Sequence, residues 1–147
     1  MKTLNYKTVS LLLVEDDDID AMGIDRAHQA LKLLNPMFRA RDGVEALELL
    51  RKGMVSSPYI VLLDLNMPRM NGLEFLQEVR DDEDLRSMVV FVLTTSNSGE
   101  EICAAYNKNI AGYIVKSSVT QDFNHVLSFL DNYWRIVELP ETSHEET

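Results

Sequence analysis

Cysteine is almost absent from this 147-residue chain: Cys103 stands alone, which excludes an internal disulfide and any cysteine-based metal site. Proline and glycine are sparse, at four and six residues, too few for a collagen-like or low-complexity chain. Positive charge is the scarcer sign, with 14 Lys and Arg against 24 Asp and Glu and a formal net charge of -10. Such a surface repels phosphate backbones and anionic lipid, so neither a nucleic acid nor a membrane is an expected partner. No apolar run approaches the ~20 residues of a membrane helix. The stretch Leu11 to Val14 is too short for a signal core and runs directly into acids, which makes the cytoplasm the expected compartment.

What is present suits one ordered domain. The hydrophobic share of 46% is well above that of a disordered chain, and the length allows a sizeable core. Four short apolar runs recur, at Val9 to Val14, Tyr59 to Leu63, Met88 to Leu93 and Gly112 to Val115. They are rich in β-branched residues and do not alternate with polar ones, as expected for parallel strands covered on both faces. A fifth run, Met37 to Ala40, alternates more and reads as an edge strand.

Helical patterns separate the runs. Ile24, Ala27, Leu31 and Leu34 mark a helix over residues 19–34, and Asp42 with Glu45 has capping-box spacing at the head of another reaching Lys52. Leu73, Leu76 and Val79 mark a third. Ser98 and Glu101 open a fourth through Tyr106, and the last runs from about Thr120 to Val137. Strand and helix alternate five times, which predicts an α/β fold: a doubly wound, five-stranded parallel sheet with helices on both faces. Residues 1–138 make the expected domain, and residues 139–147 an acidic tail expected to be mobile.

Sites in such a sheet form beyond the carboxyl ends of its strands. Glu15 and Asp16 follow the first run, Asp64 the third, Thr94 the fourth and Lys116 the fifth. Crowded carboxylates repel one another unless a divalent cation neutralises them, and Mg²⁺ takes such oxygen ligands. A carboxylate can then attack phosphorus, while a lysine and a hydroxyl meet the oxygens of the transferring group. Asp17, Asp18 and Asp20 read instead as helix caps and surface charge, and Asp81 to Asp84 as a solvated loop. His28, His125 and His144 have no partners in motif spacing and are assigned no function.

The strings Leu12-Leu13-Val14-Glu15-Asp16, Asp42-Gly43-Val44-Glu45-Ala46-Leu47, Leu62-Leu63-Asp64-Leu65-Asn66-Met67-Pro68, Asn71-Gly72, Leu93-Thr94 and Gly112-Tyr113-Ile114-Val115-Lys116 stand in one register. In that order and spacing the sequence resembles the response-regulator receiver family of bacterial two-component systems, whose fold is flavodoxin-like. The resemblance implies a phosphoprotein that signals without turning over a free metabolite, with Asp64 as the acceptor of a phosphoryl group from a histidine kinase. It implies Mg²⁺ on Asp16, Asp64 and the backbone carbonyl of Asn66, with Glu15 acting through water. Lys116 and Thr94 would contact the phosphoryl oxygens, Thr94 and Tyr113 would form the switch, and Asn66 and Ser96 would tune the lifetime of the acyl phosphate.

Asn132-Tyr133-Trp134, with Val137 and Leu139-Pro140 after it, resembles the end of the stand-alone response regulators paired with bacterial phytochromes, which often form homodimers. The wide apolar stripe of the last helix suits either a second subunit, on Phe129, Tyr133, Trp134 and Ile136, or a tail folded back over it. One position departs from the family: Ser117 follows Lys116 where a cis proline is usual. A cis bond to serine would cost ~3 kcal/mol, so the backbone either carries that strain or takes another course.

Three other chemistries fit less well. An aspartate-nucleophile phosphatase of the haloacid-dehalogenase kind wants a second Asp two residues after the first, where Asn66 stands. An EF-hand starting at Asp16 fails at Ala21 and Ala27, where Gly and Glu are needed. No Ser/Thr/Gly-rich loop follows the first run, as a flavin-phosphate site would require.

Overall fold

The computed structural model describes residues 8–118 and 123–140. Five strands alternate with five helices in the order β1 (Ser10–Val14), α1 (Asp18–Ala30), β2 (Met37–Ala40), α2 (Gly43–Arg51), β3 (Tyr59–Leu63), α3 (Gly72–Asp81), β4 (Val89–Thr94), α4 (Gly99–Tyr106), β5 (Gly112–Val115) and α5 (Asn124–Ile136). The strands pair in parallel in the order β2-β1-β3-β4-β5. Strand order reverses between β1 and β3, where connections leave to opposite sides and a crevice opens.

Alternation along each strand feeds two cores. Leu12, Val14, Val61 and Leu63 face α2, α3 and α4 through Leu47, Leu50, Phe75, Leu76 and Ala105. Leu11, Leu13, Ile60 and Leu62 face α1 and α5 through Ile24, Ala27, Leu127 and Leu130. Every residue of β1 and β3 is buried, which is why these segments read as unbroken apolar runs. Gly112 to Val115 does not share that environment: β5 is an edge strand, half-buried throughout, as β2 largely is on the other edge.

The helix ends refine the expectations. α1 stops at Ala30 because Lys32 turns into the left-handed region at φ 54°. The Leu33 N–H then bonds His28 O, and the Lys32 N–H bonds Gln29 O, which is a Schellman ending built without glycine. Leu34, expected on the buried stripe, is 93% exposed. Asp42 caps α2 by accepting from the Glu45 N–H, but the Glu45 carboxylate accepts from Arg41 N instead of closing the box on Asp42. A complete capping box opens α3, between Asn71 and Glu74. The expected start of the last helix at Thr120 lies outside the described residues, as do residues 141–147 of the tail. Leu139 packs against the second core. Among the described residues no helix is long and apolar enough to cross a membrane.

Candidate functional site

The carboxyl ends of β1 and β3 are held level by their ladder, with Val14 opposite Leu63 and the Asp64 N–H bonding Val14 O at 3.0 Å. That puts Glu15 and Asp64 side by side. The loop after Asp64 is pressed down by α3: a Cβ on Gly72 would lie 2.7 Å from Asp64 O, so only glycine allows this approach. Arg69, at φ 61°, ties the same loop to the head of α2 through two bonds to the Asp42 carboxylate, at 2.7 and 3.2 Å.

Glu15, Asp16 and Asp64 each offer a carboxylate oxygen within 4.8 Å of the others. Glu15 is 1% exposed and Asp64 is also buried, while Asp16 faces solvent. Burial pushes the Glu15 carboxyl up to about 7, opposed by its bond to Lys116 and reinforced by the charge of Asp64. Lys116 Nζ donates to Glu15 Oε1 at 2.9 Å and to Asp20 Oδ2 at 2.6 Å, and lies 3.7 Å from Asp64 Oδ2. Burial alone would lower the lysine, yet its bonds to Asp20 and Glu15 and the nearby charges outweigh that and hold it above its ordinary value. Several clustered acids against one lysine are the donor set of a hard divalent cation.

Thr94 ends β4 beside this cluster, fully buried, and its Oγ1 has no hydrogen-bond partner. A buried hydroxyl left unpaired is destabilising, and Ser10 Oγ and Tyr59 OH share that state at the other end of the sheet. Tyr113 is half-buried against the first core and donates its hydroxyl to Ser96 O at 3.0 Å. The Ser96 hydroxyl accepts from the Ser98 N–H at 3.3 Å. The Asn66 side chain is exposed, and its backbone N–H bonds Asp64 Oδ1 at 3.3 Å.

At Lys116 the backbone takes the other course: the only cis peptide among the described residues is Ser57–Pro58. Lys116–Ser118 forms a 3₁₀ turn after β5, and the lysine still reaches the acids.

Two expectations need correction. Asp20, read as surface charge, makes the shortest contact of Lys116. No spacing rule finds it, because its partner is 96 residues away. Trp134 does not belong to an exposed dimer face: it is 9% exposed and part of the second core. Phe129 and Ile136 are exposed, and Phe129 and Tyr133 meet Phe91 edge-on at 5.5 and 5.0 Å. Asp17 does cap α1, accepting from the N–H groups of Ile19 and Asp20, and Asp18 pairs with Arg39 and Arg41.

Comparison with known proteins agrees with this geometry. The response regulator receiver domain, as a family, matches residues 11–128. The chain is 37% identical over 127 residues to a probable methanogenesis regulatory protein, FilR2, of Methanothrix harundinacea, covering 84% of this chain and 82% of FilR2. It is 30% identical over 135 residues to the response regulator Rcp1 of Synechocystis, covering 88% and 92% of the two chains. The crystal structure of Mn²⁺-bound Rcp1 matches with a TM-score of 0.77 at 31% identity, over 90% of this chain and 99% of that one. That of the phosphorylated cyanobacterial phytochrome response regulator RcpA matches with a TM-score of 0.81 at 30% identity, over 91% and 99%. With most of its length matched and an acidic cluster at the switch in strand order, the chain belongs to the response regulator receiver family.

Proposed function

We propose that Asp64 accepts a phosphoryl group from the phosphohistidine of a sensor histidine kinase. The observation that carries this reading is the setting of Asp64: a buried carboxylate with Lys116 Nζ 3.7 Å away and two more acids within 4.8 Å. An Asp64 oxygen attacks phosphorus, an O–P bond forms, the P–N bond breaks, and the imidazole leaves with a proton. Lys116 and the unpartnered Thr94 hydroxyl receive the phosphoryl oxygens and spread their charge. Glu15, Asp16, Asp64 and the Asn66 carbonyl would hold Mg²⁺, whose charge would offset both the acids and the incoming phosphoryl group.

Thr94 drawn toward the phosphate, with Tyr113 following inward, would carry the signal to the α4–β5–α5 surface. Asn66, two residues after the acceptor, and Ser96, two residues after Thr94, would set how long the acyl phosphate survives. The likeness to Rcp1 and RcpA supports a bacteriophytochrome as the kinase, in the cytoplasm. Exposed Phe129 and Ile136 support a homodimer through α5.

Intact-protein mass after incubation with Mg²⁺ and acetyl phosphate tests the central step. The wild-type chain should gain one alkali-labile phosphoryl group, and Asp64→Asn should gain none while keeping its fold. Full phosphorylation of Asp64→Asn at another residue would sink the assignment.

A further inference from the structure

We propose that Asp20 is a positioning residue that aims Lys116 at Asp64. The inference rests on the reading of Asp64 as phosphoacceptor, and it begins with the geometry of the ammonium. A lysine has three N–H donors. Two are taken, by Glu15 Oε1 at 2.9 Å and by Asp20 Oδ2 at 2.6 Å. The third direction is left for Asp64, whose Oδ2 lies at 3.7 Å, beyond a hydrogen bond but where an oxygen of a phosphoryl group on Asp64 would intervene. One acceptor would let the tripod swing, whereas two on different elements define where its third donor points.

Both anchors are themselves fixed. Asp20 stands in the first turn of α1, and its N–H bonds the Asp17 side chain at 3.1 Å. Glu15 Oε2 accepts from the Asp17 N–H at 3.1 Å, and Glu15 O accepts two bonds from the Arg39 guanidinium, at 3.0 and 2.8 Å. The lysine's own backbone begins a 3₁₀ turn, and Ser117 follows it in place of proline. Lys116 is held from the end of β1 and from α1, on the far side of β3 and β4 from the strand that delivers it. Side-chain exposure agrees: 28% for Asp20 against 9% for Lys116, a tethering acid at the rim and a tethered cation inside. Asp20 is outside the group of acids whose oxygens cluster for a metal, so its effect should be separable from cation binding.

The test measures the rate of phosphoryl uptake from phosphoramidate with saturating Mg²⁺, together with Mg²⁺ affinity, for wild type, Asp20→Asn and Asp20→Ala. Loss of one charge-assisted bond to a positioned cation should slow Asp20→Ala about tenfold, with Asp20→Asn between, and leave Mg²⁺ affinity within about twofold. In a Lys116→Met background the Asp20 substitutions should add nothing, because Asp20 acts through the lysine. Uptake by Asp20→Ala as fast as or faster than wild type, or an equal loss in both backgrounds, overturns the proposal; a faster rate would make Asp20 a competitor for the lysine. Absence of any uptake by the wild-type chain would overturn the phosphoacceptor reading instead. The ¹⁵N-detected ammonium signal of Lys116 then decides this one: slow proton exchange in wild type that is lost in Asp20→Ala supports it, and an unchanged signal overturns it.

Discussion

At the amino-terminal end of the sheet, Arg80 donates to four backbone carbonyls, those of Lys108, Arg86, Met88 and Asn109, at 2.7 to 3.0 Å. At the opposite end, Lys116 meets carboxylates and keeps one donor unspent. Both cations are partly buried, and they are handled differently. Arg80 has neutral partners in the loops entering β4 and β5, and burial pulls its guanidinium below its ordinary range. Its role is to satisfy chain carbonyls that no ladder reaches. Lys116 is held charged by acids that repel one another, an arrangement that stores repulsion until another charge arrives. One end of the sheet is closed by its polar groups, and the other is left chemically open.

The largest expected effect tests the closed end. Arg80→Ala strands four carbonyls around the vacated side chain and should lower stability by about 3 kcal/mol, read as the denaturant midpoint. The folded fraction should still take up phosphoryl on Asp64 at the wild-type rate. A comparable loss of uptake in the folded protein would mean that the two ends are mechanically coupled and that the comparison fails.

A smaller effect, in pH, tests the open end. Glu15 has a folded pKa raised to about 7 from an ordinary 4.5, so the folded chain binds this proton more tightly than the unfolded one. The stability it confers is present below about 4.5 and lost as pH rises toward and through 7, a change on the order of 2 kcal/mol in metal-free protein. Lys116 has a raised pKa and contributes stability below its unfolded value, which is lost only at alkaline pH, outside this window. Urea melts in chelator between pH 5 and 8 should therefore show stability falling with pH, and Glu15→Gln should flatten the slope. Saturating Mg²⁺ should flatten it too, because it favours the ionised carboxylates. A slope unchanged by Glu15→Gln would place the titration elsewhere.

The two ends also differed in how far the sequence exposed them. The site residues Glu15, Asp16, Asp64, Thr94 and Lys116 were legible because each sits one or two steps beyond an apolar run, and strand ends in a parallel sheet converge. The central strands were equally plain, since burial on both faces leaves no polar residue to blur them. Arg80 carried no signal: its four partners are carbonyls, which every residue has. Asp20 was hidden among four acids near the head of α1, and only the fold tells which of them points at Lys116. The end of α1 was missed because Lys32, not glycine, takes the left-handed position. Trp134 was misplaced because a wide stripe does not say where core stops and surface starts.

The smallest effect bears on the comparison most directly, because the closed end is not wholly closed. Ser10 Oγ and Tyr59 OH are buried without partners there, as Thr94 Oγ1 is at the open end. In the unmodified protein, Ser10→Ala, Tyr59→Phe and Thr94→Val should behave alike, changing stability by less than about 1 kcal/mol, since no bond is lost. They should part once Asp64 is phosphorylated. Thr94 then has an acceptor within its reach, and the stabilisation gained on phosphorylation, measured as a rise in melting temperature, should shrink in Thr94→Val alone. Ser10 and Tyr59 pair at the amino ends of β1 and β3, a strand's length from Asp64, and have nothing to gain. An equal response from all three would mean that an unpaired hydroxyl is only a packing defect in this fold. A response confined to Thr94 would mark its orphan state as the open half of a switch.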